Sequence, residues 1–129
     1  MAEVEPGVKG SAHMEVGEGD TAVAFLSGDV PVLATPRVVA LCEEATVAAV
    51  APYLGPGETT VGTRVELDHL RPTVVGAAVT AHALVVEVAG RRIGFEVAAA
   101  DGAGEVARGK VVRVVVDRGR FVASLSGPA

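Results

Sequence analysis

Only one segment of this chain can form a long helix. From Thr35 to about Ala51 no glycine occurs, and the only proline is Pro36 at the start. Pro36 suits the first helical position, where an N–H is not needed, and Thr35 is expected to be its N-cap. Pro52 and the Gly55-Pro56-Gly57 cluster close the segment. Beyond that cluster most of the chain alternates with a period of two. The expected strands are Thr60 to His69, Ala77 to Ala89, Arg92 to Ala100 and Glu105 to Asp117, with turns at Gly90-Arg91 and Asp101-Gly102. Upstream, Val8 to Val16 and the short Thr21 to Leu26 read as one or two more strands. One helix lying flat cannot cover that much sheet.

A curled sheet can. The expected fold is α+β: a hot-dog fold, with a curled antiparallel sheet wrapped around one long central helix. The helix is apolar nearly all round, as a wrapped helix should be. Its core is aliphatic by necessity, because Phe25, Tyr53, Phe95 and Phe121 are the only aromatic residues. Valine in such numbers favours the pleated surface. The 129 residues suit a single domain, with 1–7 and 122–129 expected as loose tails. Half the residues are apolar, so part of that surface is expected to be buried in a homodimer.

The net charge of −5 and the scarcity of aromatic platforms argue against nucleic-acid binding. Arg91-Arg92 and Arg118/Arg120 read as solvated turn charges or as contacts to a phosphorylated ligand. Cys42 is the only cysteine, so no intrachain disulfide can form. The acidic N-terminus lacks an apolar core for a secretory signal, and the helix is too short to cross a bilayer. The expected location is the cytoplasm, with no membrane partner. The three histidines show no metal-ligand spacing.

Three polar residues stand out against this greasy background. On the helical cylinder Val38, Leu41, Cys42, Ala45 and Ala49 form one stripe, and Arg37, Ala40, Glu44, Ala48 and Ala51 form the most polar one. Glu44 therefore reads as the solvent-side acid, and if either acid is buried it is Glu43, which falls among Val39, Thr46, Val47 and Val50; the alternative is that both are surface charges. His69 ends its strand on the side of Val61, Thr63, Val65 and Leu67. Gly62, Arg64, Glu66 and Asp68 take the other side. A buried acid and a buried imidazole are costly unless they pair or do chemistry. Glu43, His69 and Thr35 are expected to converge between helix and sheet.

The stretch from Leu33 to His69 resembles the fluoroacetyl-coenzyme A thioesterase family. The matching text is Val32-Leu33-Ala34-Thr35, the Glu43-bearing helix, Ala51-Pro52-Tyr53-Leu54, Pro56-Gly57-Glu58 and Val61-Gly62-Thr63, leading on to His69. Gly90-Arg91-Arg92, Ala100-Asp101-Gly102, Gly109, Arg113 and Asp117…Arg120-Phe121 extend it, so it covers roughly residues 30–121. The resemblance implies an acyl-CoA thioesterase. Glu43 would be general base or nucleophile, His69 a proton shuttle, and the Thr35 hydroxyl would hold the carboxylate or the attacking water. It also implies that Gly62 and Arg113 contact the substrate. Gly62 lies on the opposite strand parity from His69, which a backbone N–H contact or a local bulge would reconcile.

The implied substrate is a short acyl thioester of coenzyme A or of a carrier protein, with no cofactor beyond the coenzyme A of the substrate. The family's fluoroacetyl-specific enzyme has phenylalanines in a lid before the threonine. The corresponding Phe25 to Val30 offers one aromatic. The alternative is a non-catalytic hot-dog module that binds an acyl thioester or a small apolar ligand. A dehydratase or hydratase of this fold would need an Asp/His motif that the chain lacks.

Overall fold

The structure is a computed structural model and describes residues 3–126. Five strands form one antiparallel sheet: β1 (Lys9–Glu15), β2 (Glu58–His69), β3 (Ala78–Ala89), β4 (Arg92–Asp101) and β5 (Gly104–Asp117). Their order is β1-β3-β4-β5-β2. The long helix α1 (Thr35–Val50) packs on the inner face, followed by a single 3-10 turn at Ala51–Tyr53.

The core lies between α1 and the inner faces of the strands. Val38, Leu41, Cys42, Ala45 and Ala49 are all buried, as the helical stripe requires. They meet Val79, Ala81, Ala83 and Val85 of β3 and Ile93, Phe95 and Val97 of β4. Among the described residues Phe95 is the only aromatic one fully inside. Small residues let the helix come close: a side chain at Gly10 of β1 would overlap the backbone of Ala49.

The sheet wraps one side of the helix only. On the other side Ala40, Glu44 and Ala48 are exposed, and Val47 is 44% exposed. Beside that uncovered face runs β2, a twelve-residue edge strand. An open edge of that length is a template for pairing with another chain.

Three expectations differ from the structure. Thr21 to Leu26 is not a strand. The Phe25 N–H bonds back to the Thr21 carbonyl (3.0 Å), and Leu26 has φ 56°. Local turn bonds therefore replace ladder bonds, leaving only the bridge Thr21↔Leu33. At the N-terminus, Val4 is buried in the core and the Gly7 N–H bonds the Val85 carbonyl at 2.8 Å. Residues 3–7 are thus tied to the core at Val4 and to β3 at Gly7, while the residues between them are exposed. Near the other end α2 (Arg118–Ser124) forms, capped by Asp117, whose carboxylate accepts from the Arg120 N–H. Residues 1–2 and 127–129 of the expected tails lie outside the described residues.

Candidate active site

Thr35 does not cap the helix. Ala34 occupies the N-cap position, with no side-chain cap. The helix start is held instead by Asp20, whose carbonyl accepts from the Ala34 N–H (2.8 Å). The Asp20 carboxylate also pairs with Arg37 Nε at 3.1 Å. That frees the Thr35 hydroxyl, and Oγ1 lies 2.7 Å from His69 Nδ1. In that bond either atom can carry the proton, according to the imidazole tautomer. The other nitrogen, Nε2, is buried without a hydrogen-bond partner among the described residues. The pair opens on a cleft of about 260 Å³ whose lining includes Val32, Leu70 and Pro72.

Burial holds the His69 pKa below the ordinary 6.5. A backbone interaction with Arg71, short of hydrogen-bond geometry, opposes that effect only in part. The folded state therefore prefers neutral imidazole. As pH falls through 6.5 the unfolded chain takes up the proton first, so stability that is complete above 6.5 is lost from there down to the folded pKa. Urea unfolding at pH 7.5 and 5.0 should show this loss, and His69→Gln should flatten it. An unchanged pH slope in the variant would remove His69 as its source.

Glu43 sits elsewhere. It is eight residues beyond Thr35, about 12 Å along the axis at 1.5 Å per residue. Its Oε2 accepts from Arg113 Nη1 at 3.1 Å. The Arg113 side chain is only 9% exposed and is fixed through Nε to Thr60 Oγ1 (2.9 Å) and Nη2 to the Thr60 carbonyl (3.3 Å). Gly62 makes room for the acid: a Cβ there would stand 2.6 Å from Oε2. Thr46 spends its hydroxyl on the Glu43 carbonyl, at 2.6 Å.

The expected convergence of Thr35, Glu43 and His69 therefore does not occur within one chain. The structure brings together Thr35 with His69, and separately Glu43 with Arg113 and Gly62. Glu43 is half-buried while Glu44 is exposed, as the helical spacing predicts. Strand parity needs a correction. The register of β2 on β5 runs Gly62↔Arg113 and then Arg64↔Val112, so Thr63 is an extra, unpaired residue. This bulge reverses the alternation. Gly62 and Thr60 face the helix on one side of it, and Val65, Leu67 and His69 do so on the other. Sequence reasoning missed Thr60 because unbroken alternation from His69 put it on the outer face. Among the described residues no group of three His, Cys, Asp or Glu could hold a metal, and no helix is long and apolar enough to cross a membrane.

The sequence model of the fluoroacetyl-CoA-specific thioesterases matches residues 16–119. The fluoroacetyl-CoA thioesterase of Streptantibioticus cattleyicolor is 40% identical over 94 residues, 73% of this chain and 68% of that protein. The solved structure of the fluoroacetyl-CoA thioesterase FlK superposes with a TM-score of 0.91 at 31% identity, covering 98% of this chain and 99% of that one. A hot-dog-like protein from Thermanaerovibrio acidaminovorans gives 0.85 at 28% identity, covering 96% and 94%.

Proposed function

Since the chain belongs to the fluoroacetyl-CoA-specific thioesterase family and is a thioester hydrolase, we propose that it cleaves short acyl-CoA thioesters at sites shared between two copies. The observation that carries this reading is the separation of the two polar pairs. Thr35 and His69 stand at the end of β2, and Glu43 and Arg113 gather at Gly62, seven residues earlier on that strand. A two-fold axis reverses a strand end for end. If the free edge of β2 pairs antiparallel with its own copy, the His69 end of one meets the Gly62 end of the other. With the axis at Glu66, residues 64–68 lie against 68–64 of the second copy. His69 then faces the Gly62–Thr63 bulge. The exposure of Ala40, Val47 and Ala48 on α1 and the buried Nε2 of His69, unpartnered among the described residues, favour the same assembly.

In such a site Glu43 promotes attack by water on the thioester carbonyl. Arg113 holds Oε2, and Oε1 accepts no hydrogen bond among the described residues, so it is the oxygen left to take the proton. With Nδ1–H donated to Thr35, Nε2 of His69 is a free acceptor. It relays the proton from the acid side to the departing thiolate. Water and thioester thus become free acid and thiol, with the proton accounted for. Phe25 is 41% and Leu26 92% exposed and neither lines the cleft beside Thr35 and His69, which supports a thioesterase without a fluorine preference. We assign the enzyme to the cytoplasm, where acyl-CoA is supplied.

Free-thiol release from a panel of two- to four-carbon acyl-CoAs, with the same acyl groups on a carrier protein alongside, tests the reading. Turnover of the coenzyme A esters and a light-scattering mass of two chains are expected. No release from any ester, or a single-chain mass at micromolar concentration, would overturn it. Gly62→Ala gives a second check. The new methyl pushes a flexible carboxylate rather than backbone, so the fold should persist. Displacing Glu43 should cut kcat by about 10- to 10²-fold.

A further inference from the structure

Asp101 ends β4, and its role in the hairpin to β5 is only half of what its side chain does. Oδ1 accepts from the Ala103 N–H at 2.8 Å, as a turn residue should. The remaining contacts reach across the molecule. Arg71 Nη2 donates to both carboxylate oxygens, at 2.9 and 3.0 Å, and Thr73 Oγ1 donates to Oδ2 at 3.0 Å. The carboxylate is 8% exposed, and Thr73 is buried. Burial pushes the Asp101 pKa up, but these donors together outweigh it and hold it below the ordinary value.

Arg71 and Thr73 sit at a junction. Two residues before Arg71 is His69, and the intervening Leu70 N–H bonds the Val106 carbonyl at 2.7 Å. The Thr73 carbonyl accepts from the Leu33 N–H at 2.9 Å, and Val74 bridges Val32. Leu33 lies two residues before Thr35. One segment, 70–74, therefore leads from the imidazole to the stretch before α1 that delivers the hydroxyl. One buried carboxylate on a different strand pins it at two points.

We propose that Asp101 is a positioning residue for the reaction, setting the Thr35–His69 separation through Arg71 and Thr73. This rests on the reading that Thr35 and His69 act on the thioester. Asp101 touches neither of them, so it acts only through the 70–74 segment. Removing its charge loosens that segment and lets the 2.7 Å bond lengthen or exchange.

Asp101→Asn tests it, with kcat and KM for acetyl-CoA and the ¹⁵N shifts of the His69 ring as separate readouts. Expected are a kcat lower by about 10- to 10²-fold, a KM within about twofold, and ring nitrogens moved toward those of a free imidazole. Arg71→Lys, which keeps the charge but on a shorter, more flexible donor, should fall between wild type and Asp101→Asn. Should Asp101→Asn fail to fold, Thr73→Val removes one arm only and should show the same effects in reduced form. Unchanged kcat and unchanged His69 shifts in a folded variant would overturn the proposal. So would a rise in KM alone. If the wild type hydrolyses no acyl-CoA, the thioesterase reading fails, and the ring shifts still report whether Asp101 positions His69.

Discussion

Glu43→Gln is expected to abolish most turnover, lowering kcat by about 10²–10⁴-fold, while the protein stays folded. Glutamine keeps an oxygen that can accept from Arg113, so the guanidinium, 9% exposed, is not left without a partner. The change removes only the capacity to take a proton from water. Glu44→Gln, one position on and exposed to solvent, should leave kcat within about twofold. Steady-state thiol release by the purified variants, with circular dichroism to check folding, decides the matter. Full activity in Glu43→Gln would mean that the acid serves only to satisfy Arg113.

Mixing two inactive variants should restore activity. In the proposed homodimer, Glu43→Gln and His69→Asn each break both sites. In a mixed dimer one shared site collects both substitutions, and the other collects an intact Glu43 from one chain and an intact His69 from the other. Random exchange makes about half the dimers mixed, each with one working site of two, so recovery should approach about a quarter of wild-type activity. The recovery should appear only after subunits exchange, on unfolding and refolding the mixture. If every site were built within one chain, the mixture would stay as inactive as its components. Few experiments separate the two architectures by so large a margin.

Features of this protein are legible in its sequence to the extent that their determinants are local. The single helix and the alternating strands are local patterns, and together they leave a curled sheet as the cover for that helix. Glu43 is separable from Glu44 because the helical period is constant over four turns. Thr35 is misread as a cap because capping is a local rule, and the rule is overridden by Asp20, fifteen residues upstream, whose carbonyl takes the Ala34 N–H. The strand expected at Thr21 to Leu26 fails for a related reason: backbone turn bonds win over an apolar pattern too short to enforce pairing. The expected meeting of acid and imidazole has a different flaw. Thr35 and His69 meet at the end of β2, while Glu43, eight residues further along the helix, meets Arg113 beside Gly62, and neither period reveals that separation. Asp101 is recognisable as part of a turn, and its hold on Arg71 and Thr73 is invisible without the fold.

The extra residue at Thr63 has a consequence for which changes of length the protein can tolerate. It joins two stretches of β2 whose alternation is out of phase, 58–62 and 64–69. Replacing Thr63 by another residue keeps the bulge and costs the hydroxyl's bond to the Val112 carbonyl, since the residue is exposed and has no backbone partner in the ladder. Deleting it would merge the phases and turn one half of the strand over, sending either Gly62 or His69 to the outside. An insertion beside it would do the same. At this position an inheritable change in spacing is far more damaging than a change in chemistry, and a lineage that keeps the activity must keep the count.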